Sequence, residues 1–203
     1  MRVPKMPAPP LAFFLRVGAL LGGAYLVGKA VETVIGYKEP TYVIFDGDKD
    51  KWAYAYMLGW KKNDKVDFDF HNAHDLTPMT ARAQDESYVK SQLRERMKKS
   101  KQVIVLVGES TKDLRKFVPW EIELAIELDL PIVVVNLNGK RKMDSDRCPV
   151  ALRTHCAMHV EHKMKIIKHA LDSWPSEYQG MSRETKSQGG RFYSESVYTS
   201  LGL

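Results

Sequence analysis

Short apolar runs alternate with amphipathic stretches between residues 40 and 175, and this predicts an α/β fold: a flavodoxin-like, doubly wound, mainly parallel five-stranded sheet, preceded by an N-terminal hydrophobic helix. Three observations carry the prediction. Gln102 to Gly108 (QVIVLVG) is an unbroken apolar run, as expected of a strand covered on both faces. Asp85 to Lys99 places Tyr88, Val89, Leu93 and Met97 on one side of a charged helix. An Asp46-Gly47-Asp48 turn separates a first strand from a first helix.

The elements follow in order. Thr41 to Phe45 (TYVIF) reads as the first strand and Trp52 to Trp60 as an aromatic-rich helix; Val66 to Phe70 (VDFDF) alternates like a more exposed strand. His71 to Gln84 is a polar loop of about fourteen residues containing Pro78, longer than most connections and therefore a candidate functional loop. After the Gln102–Gly108 strand come a helix over Trp120–Leu128, strands over Ile132–Val135 and Ala157–Val160, and a helix over Lys163–Ser173. From Pro175 the composition turns to Ser, Gly, Glu and Tyr without periodicity, and residues 176–203 are expected to form a flexible tail.

The N-terminal residues 1–37 stand apart. Ala8 to Gly28 carries a single charge, Arg16, over about 21 residues, long enough at 1.5 Å per residue to cross a bilayer core of roughly 30 Å. Arg16 costs on the order of 2.5 kcal/mol in lipid, and the Gly18-x-x-x-Gly22 spacing suits close helix approach. The segment is expected to be a membrane anchor or an oligomerisation helix, with the folded domain in the cytoplasm.

Composition narrows the function classes. With 203 residues, 44% apolar and 28% charged, the chain holds one ordinary domain plus appendages. The net charge of +6 is spread over clusters interleaved with acids, without a basic stripe carrying aromatics, so no nucleic-acid partner is expected. Two cysteines, Cys148 and Cys156, make no disulfide framework and suit a reducing compartment. Their spacing with His155, His159 and His162 is wrong for a zinc ribbon or finger, and no phosphate-binding glycine fingerprint is present.

The sharpest chemical signal is Phe117-Val118-Pro119-Trp120-Glu121-Ile122, which puts a carboxylate near a helix start just behind a buried strand. In doubly wound sheets ligands bind at the carboxyl ends of strands. A carboxylate there can hold ribose hydroxyls or stabilise a cationic, sugar-like transition state. A first-turn acid complementing the helix dipole is the structural alternative. Trp120 suits stacking on a nucleotide base or covering the core edge.

The segments TYVIFDGDKDKWAYAYMLGW, VDFDFHNAHDL, KQVIVLVGES and FVPWEIELAIELDLPIVVVNLNGKR resemble the bacterial TIR-like family that includes the Thoeris antiphage sensor proteins. The resemblance runs from about Tyr42 to Trp174 and implies a TIR-like domain over 40–175. It also implies an enzyme that consumes NAD as substrate, needs no cofactor, and cleaves the nicotinamide–ribose bond by hydrolysis or cyclisation to give a nucleotide signal. Glu121 falls on the family's catalytic glutamate, whereas Glu123 and Glu127 do not. By the same resemblance Phe45, Asp46 and Asp48 lie on the substrate rim, and His71, His74 and Asp75 lie in the loop that gates the pocket. Asp46 stands where a serine often follows the strand aromatic, so the ribose contacts differ in detail. Self-association through the domain, aided by the N-terminal helix, and a downstream effector are the implied partners. A TIR module that assembles partners without chemistry, and a nucleoside deoxyribosyltransferase with a carboxylate nucleophile, remain open as other classes. A two-component receiver is excluded, because Gly108-Glu109-Ser110 ends the strand that would need an acceptor aspartate.

Overall fold

In the computed structural model, residues 40–63, 68, 70–72 and 86–203 are described. The expected N-terminal helix lies outside them, as do His74 and Asp75. Among the described residues no helix is long and apolar enough to cross a membrane.

The strands are β1 (Pro40–Ile44), β2 (His71–Asn72), β3 (Gln102–Val107), β4 (Ile132–Asn136), β5 (Met158–Glu161) and β6 (Arg191–Phe192). They form one sheet in the order β2-β1-β3-β4-β5-β6, and every pairing is parallel. The first five reproduce the flavodoxin-like architecture; the sixth was not expected. The helices are α1 (Lys51–Lys61), α2 (Glu86–Met97), α3 (Phe117–Glu127), α4 (Val150–Thr154), α5 (Met164–Gln179), α6 (Arg183–Lys186) and α7 (Glu195–Ser200).

Every residue of β3 and β4 is buried, because helices cover both faces of the sheet. One face packs Val43, Ile104, Leu106, Val133 and Val135 against Ala53 and Met57 of α1 and Ile167, Leu171 and Trp174 of α5. The other packs Tyr42, Ile44, Val103, Val105 and Val134 against Val89, Leu93 and Met97 of α2 and Ile122 and Ala125 of α3. Strand alternation dictates the division: Tyr42 and Ile44 point to one layer, Val43 to the other.

Three expectations need correction. Strand pairing beside β1 is made by His71 and Asn72, just after the expected Val66–Phe70 run; of that run only Phe68 and Phe70 are described, and both lie outside the paired strand, buried in the core rather than exposed. Helix α3 begins at Phe117 rather than Trp120, since Pro119, within the first turn, has no N–H to lose to a missing intrahelical bond. The last 28 residues, expected as a flexible tail, are folded onto the domain.

That last difference has identifiable causes. Helix α5 runs through Pro175 to Gln179, and the buried Trp174 and Tyr178 on either side anchor it. Tyr178 Oη donates to Asp129 Oδ1 at 2.8 Å, and Lys186 Nζ meets Asp129 Oδ2 at 2.7 Å. Arg191 N–H donates to Ala157 O at 2.8 Å and starts β6. A Cβ on Gly190 would lie 2.7 Å from the buried His159 ring, so only glycine lets this strand come so close to β5. Beyond β6, Tyr198 is fully buried, with the Arg141 guanidinium 4.0 Å from its ring centre.

Candidate functional site

The sheet changes winding direction between β1 and β3, where doubly wound folds open a crevice at the strand ends. Two carboxylates lie along β1 near this point, and their surroundings differ.

Asp46, two residues past the end of β1, is 5% exposed. Its Oδ1 accepts the backbone N–H groups of Asp48 (2.9 Å) and Lys49 (3.3 Å), and its Oδ2 accepts the Ser110 hydroxyl (2.9 Å) from the loop after β3. Burial pulls this carboxyl's pKa upward, but the donors from Asp48, Ser110 and Lys49, with the Lys49 charge, outweigh it and hold the group below its ordinary range. Asp50, at the start of α1, is pushed upward by burial and by the Asp46 charge; Thr111 Oγ1 donates to its Oδ2 at 3.4 Å. The Gly108 Cα lies against the Asp50 carboxylate where a side chain would stand, which explains the glycine just after β3.

Glu121 sits on α3. The buried residues of this helix, Val118, Glu121, Ile122, Leu124 and Ala125, form a single inward stripe, and Glu121 takes a place in it that apolar residues fill elsewhere. It is therefore turned toward the sheet. There Tyr42 of β1 donates its hydroxyl to Glu121 Oε1 at 2.7 Å. Burial is the dominant influence and raises the Glu121 pKa to about 7; the Tyr42 hydrogen bond and the Arg96 charge on α2 act against it. Burial also raises the Tyr42 pKa, with the Glu121 charge adding to it. A carboxyl that titrates near neutrality can change ionisation at working pH, as groups at active sites commonly do. The first-turn dipole alternative does not describe it, because with the helix starting at Phe117 no acid falls in its first turn.

Among the described residues, the other expected site residues are not gathered around this carboxyl. Successive helix residues point about 100° apart, so Trp120 faces away from the sheet into a groove of about 220 Å³ between α2 and α3. Lys90 Nζ lies 4.3 Å from its ring centre and Phe117 packs edge-on at 5.7 Å. Phe45 projects to the opposite face of the sheet and stacks on Tyr54 with ring centres 4.8 Å apart. Asp48 is exposed and contributes its backbone N–H to the Asp46 turn. Asp46 is four residues beyond Tyr42, roughly 13 Å along an extended strand, and is committed to its own turn. Glu127 forms an exposed bidentate pair with Arg94 at 2.9 and 2.6 Å, and Glu123 is exposed.

Sequence reasoning missed Tyr42 and Arg96. The available signal was faint: an inward tyrosine hydroxyl in the first strand, facing a helix whose inner stripe contains an acid, calls for a polar partner.

The parallel sheet, its covering helices and the inward glutamate of α3 define a TIR-like domain. Residues 42–142 match the family model of the Thoeris protein ThsB, TIR-like domain, from β1 through the loop after β4 and including both Tyr42 and Glu121. The chain belongs to that TIR-like family and is a TIR-type antiphage module. Among curated proteins none matches it.

Proposed function

We propose that this protein consumes NAD by cleaving the bond between nicotinamide and ribose, with Glu121 as the catalytic carboxylate. The observation that carries this reading is the Glu121 carboxyl itself: it is buried in a stripe where an apolar residue would pack better, burial pushes its pKa up to about 7, and the family resemblance implies the catalytic glutamate at this position. In the reaction, the C1′–N1 bond breaks and its electron pair moves onto the nicotinamide nitrogen, which leaves as a neutral base. Positive charge grows on the ribose ring. An ionised Glu121 stabilises that charge and holds ribose hydroxyls, and the cation is then captured by water or by a nucleophile on the same nucleotide. The product serves as a nucleotide signal for a downstream effector, and self-association through this domain and residues 1–37 assembles the active form.

A second reading has its own support. Glu121 is only 6% exposed and already hydrogen-bonded, which also suits a TIR module that assembles partners without chemistry. Nicotinamide release from NAD by the full chain, measured with and without forced clustering, separates the two. We expect release by the wild type and a loss of at least about 100-fold in Glu121→Gln, the scale for removing a main electrostatic stabiliser. No release in any state supports the assembly module, and cleavage of nucleosides in place of NAD supports the deoxyribosyltransferase class.

A further inference from the structure

Resting on the proposed role of Glu121, we infer that Tyr42 is a positioning residue for this carboxylate, fixing one oxygen against the first strand and leaving the other for the substrate ribose.

Tyr42 lies inside β1, between β2 and β3, paired with Val103 and wholly buried, so its hydroxyl is a fixed point on the sheet. Glu121 projects toward it from a separate element, 79 residues along the chain. Oε1 accepts the phenol at 2.7 Å, and among the described residues no donor reaches Oε2. A hydrogen bond from a neutral hydroxyl to a carboxylate strengthens when the carboxylate is charged, so Tyr42 favours the ionised form that the chemistry requires. It also restricts the carboxylate's rotation, which matters when one oxygen must meet a ribose hydroxyl in a narrow geometry.

Among the described residues, few charged groups share this role. From α2, Arg96 faces the pair and acts on both partners, whereas Lys90 is engaged with Glu86 and Trp120, and Arg94 with Glu127. From α4, Arg153 is turned to Cys148 O at 3.0 Å. On α3 itself Glu123 points to solvent, and β3 offers only Gln102, whose amide bonds Thr41. Burial therefore opposes ionisation of Glu121, and Tyr42 with Arg96 offsets part of that opposition.

The test is the pH profile of NAD turnover by the full chain in wild type, Tyr42→Phe and Arg96→Gln. Removing a hydrogen bond to a charged group raises that group's pKa by about one to two units. In Tyr42→Phe the acid limb should move up by that amount, with kcat down about 5- to 50-fold at pH 7 and back to within about twofold of wild type at pH 9. Arg96→Gln should move the limb in the same direction by less, which covers the case in which Tyr42→Phe folds poorly. An unmoved limb with lowered thermal stability would make Tyr42 a core contact only. Faster turnover at pH 7 would mean that the bond restrains Glu121, and it too would overturn the proposal. If the wild type turns over no NAD, the proposed function fails on its own account. A 13C titration of the Glu121 carboxyl then reads the pairing alone: an upward shift in Tyr42→Phe keeps Tyr42 as the residue that sets Glu121, and no shift removes it.

Discussion

Asp46 and Glu121 are both carboxylates buried beside β1, 5% and 6% exposed, yet one is held acidic and the other is pushed toward neutrality. Depth and the number of donors together make the difference: Glu121 lies deep between α3 and the sheet, whereas Asp46 sits at the rim beyond the end of β1. Asp46 collects two backbone N–H groups and a serine hydroxyl, enough to replace the water it lost. Glu121 has one phenol and a cation at a distance, so desolvation prevails. A fully satisfied buried acid is part of the scaffold; an under-satisfied one is held in a state that a substrate can complete.

Substitutions that remove each charge should therefore have opposite signs. Folded Glu121 keeps its proton up to about pH 7, whereas the unfolded chain releases it near the ordinary value of 4.5, so the group's contribution to stability falls as pH rises from 4.5 to 7 and stays low above. The difference corresponds to on the order of 3 kcal/mol. Glu121→Gln should stabilise the protein toward urea by up to about that amount at pH 8 and by little at pH 5. A mutant less stable than wild type at pH 8 would show that the carboxylate is well satisfied after all.

Asp46→Asn should act the other way, costing about 1–3 kcal/mol at pH 7 by weakening three hydrogen bonds to a charged acceptor. Its effect should fade as pH falls below 3.8, through the lowered pKa of the native group, because the wild type then loses the same charge. Equal destabilisation at pH 3 and pH 7 would count against that account. Gly108→Ala, which drives a methyl group into the Asp50 carboxylate, should cost a comparable or smaller amount, about 1–3 kcal/mol, read as a lower denaturation midpoint. Smallest is Arg94→Ala: the Arg94–Glu127 pair is solvent-exposed, and its loss should leave the midpoint unchanged at moderate salt.

The parts of the fold that the sequence displayed were those with dense local signals. The apolar runs of β3 and β4 and the Asp-Gly-Asp turn each announce themselves within a few residues. The C-terminal elements do not: β6 has two residues, and it is held by the Gly190–His159 approach and by the burial of Tyr198, contacts that exist only once the sheet is built. The site divides the same way. Glu121 stood out through its motif, but its partner Tyr42 sits in a run of strand residues where a tyrosine reads as one more core aromatic. Trp120 and Phe45 look like neighbours of the glutamate in the linear motif pattern, yet helix rotation sends one to the outer groove and strand alternation sends the other through the sheet.

The short sixth strand also bears on how copies of this protein can meet. A parallel sheet ending at β5 would present a row of unpaired backbone groups, an invitation to edge-to-edge growth between chains. Here Arg191 and Phe192 cover part of that row, and the chain then turns away into α7. The opposite margin is β2, which among the described residues pairs at two positions. With so little regular strand at either margin among the described residues, strand-on-strand pairing between chains has little template there from which to start.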